Sequence, residues 1–440
     1  MRSDVAIAGG GPAGSVAALL LARAGLAVTL VTLPEGPERI EGLSPRVTQI
    51  LERLEIAAPV GAAVPRVSRW GALSGALNRE HPVERAAFDR ALRAAAEAAG
   101  ARVIAARAGR LDPVRREIAT EAGPVAAGAL IEARGRRAPA GPERLRERLR
   151  ERLRGPATVA ISGFAGPAEA EAHVDARPAG WIWRAPWRGR TWTQAVTDAA
   201  VARDRGVAGA WAALAGATPL PEAPLVRAAE LRLAAEPAAG VVVLGDAAAA
   251  MDPLSGHGMF WALSSALAAP PQVRAILEGE AALAARFQAE RMRATFWRQA
   301  RIGRDFHRAA GQDGPFWAAR AAWPDEAPAH AAIDRPALRR GIVVAGGRLT
   351  EAEVLVTPQD PEGVAFVAGL PLGPALARLG AGPLPPLDVF RARIAPEADP
   401  AAAAALHGFL SARGLAARPP LSPKPPFSSQ PPLSPQEVSS

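Results

Sequence analysis

The chain has 440 residues, 49% hydrophobic, with a formal net charge of +9, which is enough material for two or three domains with a large core. It contains no cysteine, which excludes disulfides, thiolate metal centres and cysteine nucleophiles, and no metal site is expected. No apolar run reaches the ~20 residues of a membrane span, and the first apolar stretch is broken by glycines and carries Arg23, so neither a membrane segment nor a secretory signal is expected and the cytoplasm is the expected location.

In chain order, residues 4–8 form a short apolar run that suits a buried parallel strand. Gly9-Gly10-Gly11-Pro12-Ala13-Gly14 follows, and then an apolar helical run to about residue 24. Gly9 makes a tight strand-to-helix turn, Gly11 lets the backbone approach a pyrophosphate, and Gly14 lets helix and strand pack closely. Pro12 and Ala13 open the helix, whose free N–H groups and positive dipole end point at the phosphates. Gly25 stops it, and residues 26–33 read as the second strand of a βαβ unit. Where an acidic residue normally ends that strand to hold a ribose, this chain has Thr32, with Glu35 slightly later; the Thr32 hydroxyl is the candidate ribose contact.

Residues 41–54 read as a helical stretch, with Ser44 as its cap and Pro45 at the first helical position. An amphipathic helix spans 83–98 and carries Arg85, Phe88, Asp89 and Leu92. A strand at 101–106, a hairpin over 111–127 and a strand from 129 into the Ala133-Arg134-Gly135-Arg136 turn follow. The basic charge is almost all arginine, since Lys424 is the only lysine, and the densest run, 144–154, alternates arginine with glutamate and leucine as a solvated helix face. Arginines and acids are interspersed along most helices, so nucleic-acid binding is not expected. Residues 157–230 alternate polar and apolar positions, with aromatics, as an antiparallel sheet does; a helix is expected over 202–215. Trp181 and Trp183 fall on one face of a strand and either line a site or pack the core.

Residues 241–244 return to the parallel sheet and enter Gly245-Asp246-Ala247, then Asp252-Pro253-Leu254-Ser255-Gly256-His257-Gly258-Met259. Residues 263–322 read as helical. After Pro324 a small α+β module is expected, with strands near 341–345, 352–357 and 364–368 and helices near 374–379 and 401–413; the Pro/Ser-rich tail from 419 should be disordered.

Over roughly residues 1–325 these landmarks together resemble the FAD-dependent monooxygenases of the aromatic-hydroxylase type and their flavin-halogenase and LodB-like relatives. The resemblance implies an α/β fold: a Rossmann-type FAD-binding domain (1–65, 84–156 and 236–325), an inserted antiparallel-sheet substrate domain (66–83 and 157–235), a C-terminal α+β module (331–417) and a tail (418–440). It implies that Asp246 accepts hydrogen bonds from the ribityl chain and that Pro253 lines the isoalloxazine face. Backbone N–H groups around Gly256, Gly258 and Met259 would stabilise negative charge on the flavin, as a helix N-terminus does. Arg85 would contact the diphosphate or ribityl oxygens, and Ser44 and Arg46 would lie on the cofactor side. His257 is either a proton handler or a spacer on the cofactor loop.

Tryptophan halogenases carry an essential lysine, and no lysine precedes Lys424 here, although Trp181-Ile182-Trp183-Arg184-Ala185-Pro186 resembles their Trp-x-Trp-x-Ile-Pro motif with alanine for isoleucine. Oxygen transfer from a flavin C4a-hydroperoxide needs no lysine. The chain also has no tyrosine, which disfavours phenol-activating routes and favours an electron-rich indole. The sequence is thus most similar to the flavoproteins that hydroxylate a peptidyl tryptophan in tryptophylquinone biogenesis. This implies O2 as co-substrate and a polypeptide partner bearing the target tryptophan, which the C-terminal module and the arginine-rich surface would help recognise. Arg134-Gly135 stands where single-component hydroxylases have Asp-Gly, leaving NAD(P)H as a direct reductant or an indirect one through a separate flavin reductase. Two other readings are a flavin-dependent reductase of the isoprenoid type, whose relatives share Asp-Pro-Leu-Ser-Gly, and a basic scaffold or nucleic-acid-binding protein with a vestigial flavin fold.

Overall fold

The structure, a computed structural model, describes residues 3–33, 36–138, 154–234, 238–330, 332–379 and 383–421. The chain divides into two units, Met1–Glu326 and Ala327–Ser440.

The first unit is built on two sheets. At the centre of a seven-stranded sheet lies Ser3–Ala8, paired in parallel with Val28–Thr32 on one side and Val125–Glu132 on the other. Arg102–Ala105 and Val241–Val243 extend the parallel part. Val5, Ala6, Ile7 and Ala8 are all fully buried, as a strand covered on both faces requires. The hairpin expected over 111–127 is a three-stranded meander, Ala108–Asp112, Glu117–Thr120 and Val125–Glu132, whose last strand runs on into the parallel sheet.

The second sheet has eight strands in the order Leu225–Ala228, Thr158–Phe164, Arg190–Asp198, Gly180–Trp187, Ala172–Arg177, Val64–Arg69, Gly75–Glu84 and Ile40–Leu43. It is antiparallel except where Val64–Arg69 runs parallel to Ala172–Arg177. Alternate side chains on Gly180–Trp187 go to opposite faces. Ile182 packs with Trp211 and Leu214 of the helix Ala199–Ala215, while Trp181 and Trp183 join Trp70, Trp192, Phe316 and Trp317 on the other face.

Helix starts differ from expectation where a strand claims the first residues. Ile40–Leu43 pairs with His81–Glu84, so the helix expected from 41 begins at Pro45; the residue before a proline disfavours helical backbone. Ser44 occupies the cap position, but its side chain makes no capping hydrogen bond. Likewise Val83 and Glu84 end a strand, and the next helix is Arg85–Ala98, capped by the Glu84 carboxylate accepting from Ala86 N and Ala87 N at 2.8 Å each. The helical region after 256 divides into His257–Leu267, Ala269–Leu277, Ala281–Ala309 and Pro315–Ala322, the later breaks marked by left-handed Gly279, Gly311 and Gly314.

The second unit packs the hairpin Ala337–Ala345/Arg348–Val356 with three helices, Leu372–Leu379, Leu387–Ile394 and Pro400–Ala412, around Leu338, Leu355, Leu376, Phe390 and Leu406. The start of the expected tail is part of this unit: Leu338 N donates to Pro420 O at 2.9 Å. The expected helix over 144–154 lies outside the described residues except Arg154, as do Glu35 and residues 422–440. No described helix is long and apolar enough to cross a membrane.

A candidate cofactor and substrate cavity

The glycine-rich turns meet because their backbones leave no room for side chains between them. Gly9 has φ +106°, and a Cβ there would lie 2.5 Å from Ala133 O; a Cβ on Gly14 would lie 1.9 Å from Gly9 O. Gly245, 231 residues after Gly14, has φ +57°, and its Cβ position is 3.1 Å from the Ala13 methyl. Gly245 N donates to Ser265 Oγ at 2.9 Å, and Trp261 Nε1 donates to Gly245 O at 3.0 Å, which fixes the second turn on the helix His257–Leu267.

One cavity of about 1930 Å³ runs past both turns and on to the tryptophan face of the second sheet. Gly9, Gly11, Pro12, Ala13, Thr32, Ser44, Arg46, Arg85, Trp181, Trp183, Asp246, Pro253, Gly256, His257, Gly258 and Met259 all border it. Gly14 alone among the sequence-expected residues does not; it is buried beneath the turn. At Gly11 a Cβ would meet nothing nearer than Arg85 Nη2 at 3.7 Å, so this backbone is open to the cavity. Neither the helix Pro12–Arg23 nor His257–Leu267 has a side chain capping its N-terminus. Trp181 and Trp183 are 2% and 8% exposed, so they serve as core and as cavity wall at once.

A charged network lines the cavity beside Gly11. Arg85 Nη1 donates to Glu41 Oε1 at 2.9 Å and Arg85 Nε to Asp89 Oδ1 at 2.8 Å. Arg39 Nε lies 2.8 Å from Glu41 Oε1, and Arg227 Nη1 4.0 Å from it. Burial pushes the Glu41 carboxyl upward, but Arg85, Arg39 and Arg227 outweigh it and hold the group at about 2. Burial likewise lowers Arg227, and neighbouring Arg39 lowers it further, to about 10. Asp246 faces Arg136 at 3.5 Å, and Arg136 is itself anchored on Glu230 O and Met251 O at 2.6 and 2.8 Å. Asp252 accepts from Leu254 N at 2.9 Å and so shapes the Pro253–Ser255 turn; left-handed Gly256, at φ +60°, then leads into the helix. Arg46 stands over the Phe260 ring, 5.9 Å from its centroid.

No local sequence pattern marks Arg39, Glu41, Arg136 and Arg227 as one network, or Glu80 on the sheet side. Glu80 is 5% exposed and accepts from Trp183 Nε1 at 2.8 Å. Burial raises its carboxyl above the usual range, against the pull of Arg66 and the Trp183 N–H.

Fold and cavity together define an FAD-binding oxidoreductase, and the family model for an FAD-binding domain matches residues 2–111. The tryptophan halogenase family model matches residues 63–341, and the chain belongs to that family. Among solved structures, a peptidyl tryptophan dihydroxylase, QhpG, essential for tryptophylquinone cofactor biogenesis, is 32% identical, with a TM-score of 0.75 over 94% of this chain and 100% of its own. CmlS, a flavin-dependent halogenase, shares the fold at 18% identity and TM-score 0.64 over 86% of this chain and 88% of its own. The myxobacterial chondrochloren halogenase CndH does so at 20% identity and TM-score 0.56 over 72% and 86%. No curated protein matches the chain by sequence. The residues present fit FAD: an open glycine backbone, two uncapped helix N-termini and guanidinium groups border one cavity.

Proposed function

We propose that this protein is an FAD-dependent monooxygenase that hydroxylates the indole ring of a tryptophan held in a polypeptide. The observation that carries this reading is the single cavity joining both cofactor turns to the Trp181/Trp183 face, with no lysine among its lining residues. Its volume, about 1930 Å³, exceeds the ~300–1,000 Å³ of an ordinary ligand pocket, which leaves room for a second, large reactant beside the cofactor. The 32% identity to a peptidyl tryptophan dihydroxylase over nearly the whole chain supports the substrate class.

In this reading the Pro12–Arg23 N-terminus and Arg85 hold the diphosphate, Thr32 the ribose, and Asp246 the ribityl hydroxyls. Ser44 and Arg46 border the same side. Bound FAD, once reduced, supplies the activation of O2. The chain's part is positional and electrostatic. The amides of Gly256, Gly258 and Met259, at a helix N-terminus, favour negative charge placed against them. Pro253 presents a rigid apolar surface beside them. Trp181 and Trp183 exclude water on the sheet side, and His257 holds or passes a proton at the imidazole. NAD(P)H delivers electrons either directly or through a separate flavin reductase.

The test is mass spectrometry of a tryptophan-bearing polypeptide after incubation with the protein, FAD, O2 and NAD(P)H, with and without a flavin reductase. A gain of one or two oxygen atoms on tryptophan is the expected result. A halogenated product in the presence of halide, or anaerobic reduction of an isoprenoid double bond, would overturn the reading.

A further inference from the structure

Glu80 is a buried carboxylate with one oxygen that is paired only loosely with a cation and accepts no hydrogen bond among the described residues. Its side chain is 6% exposed. Oε1 accepts from the Trp183 indole N–H at 2.8 Å. Oε2 accepts no hydrogen bond among the described residues; the nearest cation, Arg66 Nε, is 3.7 Å away, beyond hydrogen-bond range. Oε2 therefore keeps acceptor capacity for a donor entering the cavity that Glu80 lines. The fold keeps space for it: a Cβ on Gly42 would come within 2.8 Å of Oε2, so only glycine there admits the carboxylate in this position.

Its surroundings place it between the two halves of the cavity. Glu80, Gly42, Arg66 and Trp183 all line that cavity. Arg66 Nη2 donates to Leu254 O at 3.4 Å, and Arg66 Nη1 is 3.5 Å from the Cβ position of Gly256. The same guanidinium therefore spans from Glu80 to the Pro253–Gly256 turn. Of the other carboxylates bordering the cavity, Glu41 and Asp89 pair with Arg85, Glu132 with Arg134 and Asp246 with Arg136, and Asp252 accepts from Leu254 N; among the described residues Glu80 is the one that holds an indole N–H.

We infer that Glu80 is the substrate-recognising carboxylate, its Oε2 accepting the indole N–H of the target tryptophan just as its other oxygen accepts that of Trp183. This inference rests on the proposed function. A carboxylate has about four acceptor directions over its two oxygens, so both indoles are held at once. The negative charge beside the indole nitrogen orients the ring. It also stabilises the positive charge the ring develops when it donates electrons to an incoming oxygen.

The experiment compares peptides carrying tryptophan or 1-methyltryptophan, which lacks the N–H, with the wild type, Glu80→Gln and Trp183→Phe. The wild type should prefer the tryptophan peptide about 10- to 100-fold in kcat/KM, the range expected for a hydrogen bond to a charged group. Glu80→Gln should lose most of that preference while retaining FAD, read from bound flavin absorbance. Trp183→Phe, which removes the internal donor together with part of the cavity wall, should keep the ratio between the two peptides even where both rates fall. An unchanged preference in Glu80→Gln overturns the inference. So does equal use of both peptides by the wild type. Failure of the wild type to oxygenate either peptide instead overturns the proposed function, so the two failures are separable.

Discussion

Arg85 gives the sharpest energetic test of the charged network beside Gly11. Its side chain is 15% exposed and bridges Glu41 and Asp89, which are 21% and 19% exposed. Arg85→Met leaves Glu41 with Arg39, but leaves Asp89, already raised by burial, without its cation. Breaking a buried pair costs about 3–5 kcal/mol, and residual exposure argues for the lower end. At roughly 2 °C per kcal/mol for a unit of this size, the melting temperature should drop by about 6 °C. Arg85→Met/Asp89→Leu replaces both members with apolar groups and should recover much of that loss. It should not recover FAD affinity, because Arg85 Nη2 borders the open backbone at Gly11. Differential scanning fluorimetry and FAD titration by flavin fluorescence read the two quantities independently. A single variant melting within about 1 °C of wild type would refute the buried-pair reasoning. A double variant that regains both stability and FAD affinity would show Arg85 to be structural only. The pH dependence follows with a fixed sign. Glu41 is depressed from its ordinary 4.5 to about 2, so its contribution is fully present above 4.5 and is lost as pH falls toward 2. That contribution is roughly 3 kcal/mol, and in Arg85→Met it should shrink and its loss should be complete at a higher pH.

Asp246→Ala should lower FAD affinity about 10-fold or more, measured by flavin retention on gel filtration, with little change in the melting temperature of the FAD-free protein. His257→Ala should keep FAD, since the helix N-terminus presents backbone amides, but slow turnover by about 100-fold if the imidazole handles a proton; a normal rate would remove it from the mechanism. Gly14→Ala must displace backbone, because its methyl would sit 1.9 Å from Gly9 O, and should yield colourless protein destabilised by about 1–3 kcal/mol in chemical denaturation.

What the sequence disclosed, and what it withheld, follows from how far each feature depends on distant residues. Gly9, Gly14 and Gly245 could be read because each sits in a short glycine-rich motif whose spacing is local, although the atoms that would block a side chain at Gly9 and Gly245 belong to Ala133 and Ala13. The parallel strands were legible for the same reason: a strand covered on both faces is apolar at consecutive positions. Glu80 was not legible. Arg66 and Glu80 lie on neighbouring strands of one hairpin, whose register slips between Arg66 and Val67, and they meet Trp183 only because that hairpin joins the sheet beside Ala172–Arg177. No local pattern near residue 80 encodes a partner 103 residues away. The choice between wall and core for Trp181 and Trp183 also dissolves in three dimensions. Ile182, between them, faces the helix Ala199–Ala215, so both tryptophans must take the opposite face, and there the core is the cavity wall. Trp183 then fixes one oxygen of Glu80, and the other, 3.7 Å from Arg66 Nε, keeps acceptor capacity. Packing and recognition are therefore coupled through a single carboxylate, so a substitution at Glu80 should alter substrate choice before it alters the fold.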